Sequence, residues 1–474
     1  MSLRPHKTKI VATIGPACDA PAVLEQMIRA GMSVARLNFS HGTLDEHAAR
    51  IERLRAAAKA VGREIALMAD LSGPKMRIGQ LAEEPIQIAP GGTFTLTTED
   101  LVGDAGRASM TFVRLPQVVK PGDRLYLNDG IIQLTVERVA GPEVHCRVLT
   151  GGELRSRKGL NLPGIDLGIS AFTERDRECL RFALGHGVDA VSQSFVESAA
   201  DIQAVREAAR SFGGEPFILA KIERSRALER VDEILAAADG VMVARGDLGV
   251  EVPIEQIAII QKSLVRKAMR LGKPVIIATQ MLESMTHSRQ PTRAEATDVA
   301  NAVLDGADCV MLSGESATGD YPVEAVATLS RITAATEPHR TRADLWERLK
   351  TLPRDIEYRT ADLLSLSVEA VIAASPPAVV VVPTRSGTTA RAIARFRLPV
   401  WIAAPTDGAN VVRHLQFTYG IEPVSMPQLP AEWTDFTRDL VRAEQLPGRV
   451  ALLVQGPSPA NPNANHRMEI LQLH

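Results

Sequence analysis

The sequence predicts an α/β protein, a closed parallel (β/α)8 barrel (TIM barrel) with a small all-β domain inserted in it and an α/β domain after it. Three observations predict this. Eight short apolar runs alternate with helix-period segments, a stretch rich in Gly, Pro and Thr interrupts them once, and the alternation resumes beyond about residue 338. The 474 residues suffice for about three domains. We place the barrel at residues 1–78 and 160–338, the inserted domain at 79–159 and the C-terminal domain at 339–474.

The eight apolar runs are the expected barrel strands. Each is short and nearly continuous in apolar residues, as strands buried on both faces are. Residues 254–268 between two of them keep helical spacing, and Thr292 with Glu295 predicts a capping box. Such barrels carry their chemistry at the C-terminal strand ends, so we look for function just after each run. The predicted strands are residues 10–14, 33–37, 65–69, 190–195, 217–222, 240–244, 275–278 and 309–312.

The interruption at residues 79–159 has the pattern of a small β domain. Short alternating runs lie at 93–96, 125–127 and 131–136, with a turn signal at Asn128-Asp129-Gly130. An insertion on the catalytic face predicts a lid that closes over the site. The alternative is an insertion with no part in catalysis, although loops on that face usually carry function.

The C-terminal unit begins with a predicted helix at 361–374 and a strand at 378–382. A Ser/Thr/Gly loop, a helix at 391–396 and a strand at 400–404 follow, and the last predicted strand is 450–454. The loop offers hydroxyl and backbone N–H groups to a phosphate, although the same residues also make ordinary helix caps. The candidate phosphate-binding residues are Thr384, Ser386, Gly387, Thr388 and Thr389.

Composition argues against several functions. A net charge of −2 gives no basic field for nucleic acid. No apolar run reaches the roughly 18 residues that span a membrane, and the N-terminus lacks a signal peptide's apolar stretch. The four cysteines are scattered, as expected of thiols in a reducing compartment. We therefore expect a cytoplasmic protein that binds neither nucleic acid nor membrane.

The ends of the fifth and sixth predicted strands carry the strongest candidate site. Lys221 and Glu223 end one strand, and Asp247 follows the other. Hard divalent cations bind one or two carboxylates together with substrate oxygens, and a nearby lysine suits the anion that the metal also holds. The alternative is that both segments are ordinary turns, with Gly246 supplying a positive φ and the charges facing water.

Other strand ends add polar groups to the same mouth. Arg36 could fork onto a phosphate or carboxylate, and Asn38 and Ser40 suit an ion or polar group. Further candidates after the third and seventh strands are Asp70, Lys75, Arg77 and Thr279. This mixture suits an anionic, phosphorylated substrate held through Mg²⁺. Because the sequence lacks Walker A and G-x-G-x-x-G motifs, a nucleotide would have to be held without either.

Several ordered strings resemble the pyruvate kinase family, over essentially the whole chain. The resemblance implies phosphoryl transfer from phosphoenolpyruvate to ADP, giving pyruvate and ATP in glycolysis. The strings are KIVATIGP (9–16), VARLNFSHG (34–42), KIE (221–223), MVARGDLG (242–249), ATQMLESM (278–285) and MLSGE (311–315).

The resemblance also implies roles for individual residues. Glu223 and Asp247 match ligands of Mg²⁺, with Mn²⁺ as a second option, and Lys221 matches the lysine that stabilises the transferring phosphoryl group. Arg36 matches the residue that binds the substrate phosphate. Thr279 matches the residue that contacts the substrate carboxylate, close to the protonation path. Asp247 and the backbone of Gly246 match further substrate contacts. The implied nucleotide-binding residues are Arg77, Lys158, Asn38 and Asp129.

One departure from the family pattern concerns the monovalent-cation site. Many members bind K⁺ at positions matching Asn38, Ser40, Asp70 and the carbonyl of a threonine, with a glutamate nearby. In this chain those last two positions are Leu71 and Lys75. The lysine ammonium could supply the charge of K⁺, so we predict activity independent of K⁺. The alternative is that Lys75 lies in water and K⁺ is still required.

The family comparison further predicts a sugar-phosphate effector at the loop 384–389 and a homotetramer in which domain or subunit rotations transmit the effect. The competing enzyme class is a Mg²⁺-dependent lyase of the phosphoenolpyruvate/pyruvate superfamily. A lyase does not account for an inserted domain with Asp129 and Lys158. A metabolite sensor that has lost activity would be expected to have lost these catalytic positions, all of which are present.

Overall fold

A computed structural model describes residues 3–340, 360–430, 432–457 and 465–473. Residues 341–359 of the predicted C-terminal domain lie outside this part of the chain. None of the described helices is long and apolar enough to cross a membrane.

The chain begins with barrel units. They are β1 (Lys9–Thr13), α1 (Pro21–Ala30), β2 (Met32–Asn38), α2 (Leu44–Val61) and β3 (Ala66–Leu71). Every residue of β1 and β3 is buried, which explains their continuous apolar character. Helix α2 starts at a capping box formed by Thr43 and Glu46 and ends at Gly62, whose φ is 68°.

After β3 the chain forms short strands in place of βα units. They are β4 (Ile86–Ile88), β5 (Thr93–Thr97), β6 (Arg107–Ser109), β7 (Arg124–Leu127), β8 (Ile132–Ala140), β9 (Glu143–Thr150), β10 (Gly152–Leu154) and β11 (Leu160–Asn161), with the short helix α3 (Leu115–Val118) before β7. Six of them form one sheet in the order β11-β7-β8-β9-β5-β6, and β4 pairs with β10. The turn from β7 to β8 is Asn128-Asp129-Gly130, all three with positive φ. The inserted all-β unit is confirmed, and its boundaries at 79 and 159 stay predictions.

The barrel then resumes and closes. Its remaining elements are α4 (Glu174–Gly185), β12 (Ala190–Gln193), α5 (Ala199–Ser211), β13 (Phe217–Ile222), α6 (Ser225–Glu229), α7 (Val231–Ala237), β14 (Gly240–Ala244), α8 (Arg245–Glu251), α9 (Ile257–Leu271), β15 (Val275–Ala278), α10 (Arg293–Asp305), β16 (Cys309–Leu312), α11 (Gly314–Ala317) and α12 (Pro322–Thr336). The eight strands close in the order β1-β2-β3-β12-β13-β14-β15-β16, and all neighbours are parallel. The predicted barrel and the capping box of Thr292 and Glu295 are confirmed.

The C-terminal unit is a five-stranded sheet with helices. Its elements are α13 (Thr360–Ala374), β17 (Val380–Val381), α14 (Thr388–Ala394), β18 (Ile402–Thr406), α15 (Ala409–His414), β19 (Ile421–Ser425), α16 (Trp433–Ala443), β20 (Val450–Gln455) and β21 (Arg467–Gln472). The order is β19-β18-β17-β20-β21, and β21 is antiparallel to β20. The sequence predicted residues 450–454 as the last strand. This prediction is wrong, because β21 follows β20.

The C-terminal sheet packs under the N-terminal ends of the barrel strands. Lys9 Nζ, in β1, donates to the carbonyl of Ile421 at 2.6 Å, and Cys309 Sγ, in β16, lies 3.2 Å from the carbonyl of Phe417. Phe217 stacks on Phe417 with 5.3 Å between ring centroids. The carboxyl ends of the barrel strands lie at the opposite end of the barrel, its mouth. The inserted domain and the candidate site are located there.

Candidate active site

A buried ionic cluster joins the ends of β2, β3 and β13. Arg36 Nε donates to Asp70 Oδ2 at 2.8 Å, and Lys221 Nζ lies 3.7 Å from Asp70 Oδ1. Ser192 Oγ donates to the same Oδ1 at 2.6 Å. Burial alone would raise the pKa of Asp70, but the charges of Lys221 and Arg36 hold it below its usual value. Asp70 therefore stays ionised and fixes two cations at the mouth.

Lys221 lies at the centre of the cluster. Its ammonium donates to Ser194 Oγ at 2.6 Å and lies 3.2 Å from Glu223 Oε2. Burial alone would lower the pKa of Lys221, but the carboxylates of Asp70, Glu223 and Asp247 raise it above its ordinary value. Lys221 is thus a permanent cation, suited to an anion rather than to proton transfer.

Glu223 is buried with one oxygen left without a hydrogen bond. Its Oε1 accepts from Phe195 N at 2.7 Å, and Phe195 has a φ of 60°, whereas Oε2 has no hydrogen-bond partner. Burial raises the pKa of Glu223 although the ion pair with Lys221 opposes this, and the nearby charge of Asp247 adds to the rise. Asp247, in the first turn of α8, is exposed. A buried carboxylate oxygen without a hydrogen bond, next to a second carboxylate, fits a divalent cation.

The ends of β14 and β15 are joined through Thr279. Gly246 N donates to Thr279 Oγ1 at 2.7 Å, and Thr279 has a φ of 69°, rare for a β-branched residue. Arg245 donates to the carbonyl of Thr279 at 2.8 Å and pairs with Asp298 at 2.7 Å, so it supports the turn. Gly246 is not among the residues with positive φ, so the alternative that it serves a left-handed turn is wrong.

The predicted monovalent-cation positions also meet at the mouth. Lys75 Nζ donates to the carbonyl of Ser40 at 2.8 Å, and Ser40 N donates to Asn38 Oδ1 at 3.1 Å. Leu71 is fully buried, and its side chain carries no oxygen, although its backbone carbonyl remains at the position of the threonine carbonyl. Asp70, predicted for this site, accepts a hydrogen bond from Arg36, and its part in a cation site stays a prediction. Lys75 therefore places its charge on a carbonyl at a predicted cation position.

Three of the predicted nucleotide residues lie on the inserted domain and its root, whereas the fourth, Asn38, ends strand β2 of the barrel. Arg77 forms a β-bridge with Gly159, and Ile78 N donates to the carbonyl of Lys158 at 2.9 Å, so Arg77 and Lys158 lie on adjacent chain segments. Asp129 is exposed at the hairpin tip. The next residue, Gly130, lies against Val250 of α8, and a Cβ there would be 3.4 Å from Val250 Cγ1. The tip of the inserted domain thus lies next to the helix that carries Asp247.

The predicted phosphate loop has an ordered arrangement of hydroxyl groups. Gly387 N donates to Thr384 Oγ1 at 2.9 Å, and Ser386 Oγ lies 2.9 Å from Thr388 Oγ1. Ser386 and Thr388 are exposed, whereas Thr389 is half-buried. The N-cap residue of α14 is Gly387, which has no side chain to cap the helix. Ser386 Oγ accepts from Thr388 N, in the first residue of the helix, at 3.4 Å, so this hydroxyl also serves the helix end.

Sequence reasoning missed a buried arginine next to the metal candidate. Arg224 is 2% exposed and donates to Glu251 Oε1 at 3.0 Å. It also donates to the carbonyls of Leu162 at 3.2 Å and Ile165 at 3.0 Å, in the segment that returns from the inserted domain. Arg224 follows Glu223 directly, and Glu251 ends the helix that begins with Arg245 and carries Asp247. One side chain therefore links both candidate metal ligands to the lid's return segment, and no motif signalled it.

A closed parallel barrel with cations fixed by a buried aspartate and two carboxylates at its mouth defines the class: a (β/α)8 enzyme for an anionic substrate. The family model "Pyruvate kinase, barrel domain" matches residues 5–326, and "Pyruvate kinase, alpha/beta domain" matches residues 363–453. The chain belongs to the pyruvate kinase family, and it is a phosphotransferase.

Individual relatives agree with this assignment. A pyruvate kinase of Thermococcus litoralis is 46% identical, with 90% of each chain covered. A pyruvate kinase of Mycobacterium intracellulare is 42% identical over 90% of this chain and 88% of its own. The crystal structure of a pyruvate kinase from Cryptosporidium parvum has a TM-score of 0.92 at 34% identity, covering 99% of this chain and 97% of that chain.

Proposed function

We propose that this chain transfers the phosphoryl group of phosphoenolpyruvate to ADP. The bond between phosphorus and the enol oxygen breaks, a new bond forms to a terminal oxygen of ADP, and the enolpyruvate left behind takes a proton at carbon to give pyruvate. The observation that carries the proposal is the cluster of Arg36 and Lys221 on Asp70, beside the Glu223 oxygen that lacks a hydrogen bond. Such transfer needs positioning and neutralisation of charge more than covalent catalysis.

Each residue has a role in this scheme. Arg36, held by Asp70 and by Thr13 Oγ1 at 2.8 Å, grips the substrate phosphate, and Lys221 stabilises the phosphoryl group during transfer. Thr279 and the backbone of Gly246 orient the substrate carboxylate. Glu223 and Asp247 would hold Mg²⁺ or Mn²⁺, which when bound neutralises charge on the phosphoryl oxygens. The proposed nucleotide contacts are Arg77, Lys158, Asn38 and Asp129.

A coupled assay tests the reaction. Pyruvate should form from phosphoenolpyruvate only when ADP and a divalent cation are present, and ATP should form in equal amount. Glu223→Gln removes the charge of one proposed ligand, whereas Asp298→Asn changes a carboxylate that only supports Arg245 and is the matched control. Pyruvate formed without ADP would instead favour a lyase.

We also propose that Lys75 replaces K⁺. The contact of Lys75 Nζ with the carbonyl of Ser40 supports this, because an ammonium on a carbonyl oxygen does what a bound monovalent cation would do. Turnover with Mg²⁺ in a buffer whose only monovalent cation is a bulky organic ion should be undiminished. Lys75→Glu should create a requirement for KCl. A wild-type protein that is inactive in this buffer and rescued by KCl would refute the proposal.

A sugar phosphate bound at the loop of Thr384, Ser386, Gly387, Thr388 and Thr389 is the proposed allosteric effector, acting in a cytoplasmic homotetramer. The exposed hydroxyls of Ser386 and Thr388 support this. Ser386→Asp places a negative charge in the loop and should abolish activation by sugar phosphates while basal turnover stays. Unchanged activation would contradict the effector site, and a smaller mass by light scattering would contradict the tetramer.

A further inference from the structure

The last residue of strand β1, Thr13, lies directly opposite Arg36 in the wall of the barrel. The parallel register of β1 and β2 pairs these two residues, so their side chains lie on the same face. Thr13 is 4% exposed, and the side chain of Arg36 is 11% exposed. A hydroxyl and a guanidinium are therefore enclosed together at the mouth, where each needs hydrogen-bond partners.

The direction of the hydrogen bonds at Thr13 is fixed by its two neighbours. Thr13 Oγ1 lies 2.8 Å from the carbonyl oxygen of Leu312 in β16, which can only accept, so the single hydroxyl proton is donated there. Arg36 Nη1, which can only donate, lies 2.8 Å from the same Oγ1. The hydroxyl therefore donates to β16 and accepts from β2. Valine, which has nearly the same shape, can do neither.

Arg36 has a second anchor, and the two anchors constrain it differently. Both Nε and Nη2 of Arg36 donate to one oxygen of Asp70, Oδ2. Two contacts on a single atom still allow the guanidinium to tilt about that atom. The third contact, from Nη1 to Thr13, opposes this tilt. Of the five N–H groups of the guanidinium, two then remain for a ligand, one on each terminal nitrogen.

Thr13 is itself fixed by the barrel. Every residue of β1 is buried, and the Thr13 carbonyl accepts from Ser316 Oγ of α11 at 2.8 Å. Two residues further on, a Cβ at Gly15 would lie 2.5 Å from the carbonyl oxygen of Ala317, so this turn packs directly on α11. Thr13 is therefore held where the first and last strands of the barrel meet.

We propose that Thr13 is a positioning residue for Arg36, whose hydroxyl orients the guanidinium so that its two remaining N–H groups meet the phosphate of the substrate. This inference rests on the proposed role of Arg36 at that phosphate. A cation that is already oriented before the substrate arrives loses less freedom on binding, so the effect falls on ligands that carry a phosphate. Ligands without a phosphate gain nothing from this contact.

Calorimetric titration of the full-length protein with Mg²⁺ and without ADP tests the proposal. Thr13→Val should weaken the binding of phosphoenolpyruvate about tenfold, the value of one hydrogen bond to a charged group, and should leave the binding of pyruvate unchanged. Thr13→Ser keeps the hydroxyl and should bind phosphoenolpyruvate nearly as the wild type does. Unchanged binding of phosphoenolpyruvate, equal weakening of both ligands, or no rescue by serine would overturn the proposal.

A double-mutant cycle separates positioning from a general loss of structure. In the Arg36→Met background, Thr13→Val should have no further effect on the binding of phosphoenolpyruvate, because the group that it orients is gone. A tenfold loss that persisted there would refute the proposal. Thr333→Val is the matched control and should leave binding unchanged. Thr333 is a fully buried threonine of α12 whose hydroxyl donates to the carbonyls of Leu329 and Ser330, far along the chain from Arg36.

The titration also distinguishes a failure of this proposal from a failure of the proposed function. A protein that binds phosphoenolpyruvate with an affinity that depends on Thr13, but forms no pyruvate with ADP, would refute the phosphoryl transfer alone. A protein that forms pyruvate and ATP with no dependence on Thr13 would refute only the role of Thr13. A wild type that does not bind phosphoenolpyruvate would refute both.

Discussion

At the mouth of the barrel, Arg36 and Lys221 are held by carboxylates, whereas at the opposite end Lys273 and Arg391 are held only by backbone carbonyls. Burial alone would lower the pKa of Lys221 at the mouth and does lower the pKa of Lys273 and Arg391 at the opposite end. The difference lies in the partners: Asp70 contacts the cations at the mouth directly, whereas the charge of Asp239 acts on Lys273 and Arg391 without forming an ion pair with either.

This difference matches the catalytic task of the mouth. A catalytic site must fix its cations before the substrate arrives and must still release an anionic product, so a carboxylate that positions and partly neutralises them is suitable. Lys273 and Arg391 donate only to backbone carbonyls, which carry no formal charge to offset theirs. Removing the carboxylate of Asp70 or the cation of Lys221 should therefore lower catalytic activity. Removing the cation of Lys273 should leave catalytic activity unchanged.

The largest effect should come from Lys221→Met. This change removes a cation that lies 3.2 Å from Glu223 and 3.7 Å from Asp70, where charge develops during transfer. We expect kcat for pyruvate formation to fall about 10³-fold, as when one preorganised electrostatic group is lost. Lys273→Met is the matched control at the other end of the barrel and should keep kcat. Similar losses in both variants would contradict the contrast between the two ends.

The next effect should come from Asp70→Asn, which keeps the size of the side chain and removes its charge. Arg36 and Lys221 then lose the group that fixes them, and kcat/KM for phosphoenolpyruvate should fall about 10²-fold, the cost of breaking a buried charge pair. Ser192→Ala removes only one hydrogen bond to Asp70 and should cost less than about tenfold. If Asp70→Asn were no worse than Ser192→Ala, the carboxylate would not be the group that holds the cations.

Arg224→Met should come third and tests the link between the mouth and the inserted domain. It leaves Glu251 buried without its cation and frees the segment of Leu162 and Ile165, so the free energy of unfolding should fall by about 3 kcal/mol. The KM for ADP should rise more than the KM for phosphoenolpyruvate, because that segment leads out of the lid.

Two comparisons separate this role from a general loss of structure. Arg226→Met removes a cation that is 26% exposed and pairs with Asp166 and Glu197. It should cost less than about 1 kcal/mol, because Glu197 keeps its ion pair with Arg224. Arg224→Lys keeps the positive charge but loses the several N–H donors of the guanidinium group. Its KM for ADP should therefore lie between those of the wild type and of Arg224→Met. A rise of both KM values by the same factor would assign Arg224 a structural role only.

The elements that the sequence predicted well are those whose cause is local. Strands buried on both faces appear as continuous apolar runs, so all eight barrel strands were found, and their parallel closure set Lys221, Glu223 and Asp247 at one mouth. Strand β21 was missed because Leu471 is its only buried residue, which leaves no alternating pattern to see.

The contacts that the sequence did not predict join distant segments. Arg224 and Glu251 each look like ordinary surface charges in the sequence, and only folding shows that they are buried against each other. Asp70 was assigned to the cation site, and its side-chain contact with Arg36 could not be read from the sequence, because it depends on the register that pairs Asp70 with Asn38. The approach of Lys273 to Arg391 depends on how two domains pack, which no local pattern encodes.

The smallest effect concerns a third buried cation, Lys9, at the same barrel end as Lys273 and Arg391. It is fully buried, donates to the carbonyl of Ile421 and lies 4.0 Å from Glu422, and burial lowers its pKa to about 8 from an ordinary 10.5. Between these values the unfolded chain binds more protons at this residue than the folded protein does. Its contribution to stability is therefore fully present above pH 10.5 and is lost as the pH falls through about 8.

Lys9→Met isolates this contribution. The difference in melting temperature, wild type minus Lys9→Met, should become more positive as the pH rises from 8 to 10, because only the wild type loses a proton at residue 9. A matched measurement on Lys273→Met should show a weaker trend, since Lys273 is only partly buried. A difference that stays flat across this range would mean that Lys9 keeps its proton in the folded protein. Glu422 would then neutralise Lys9 much as Asp70 neutralises Lys221, and the contrast between the two ends would be confined to Lys273 and Arg391.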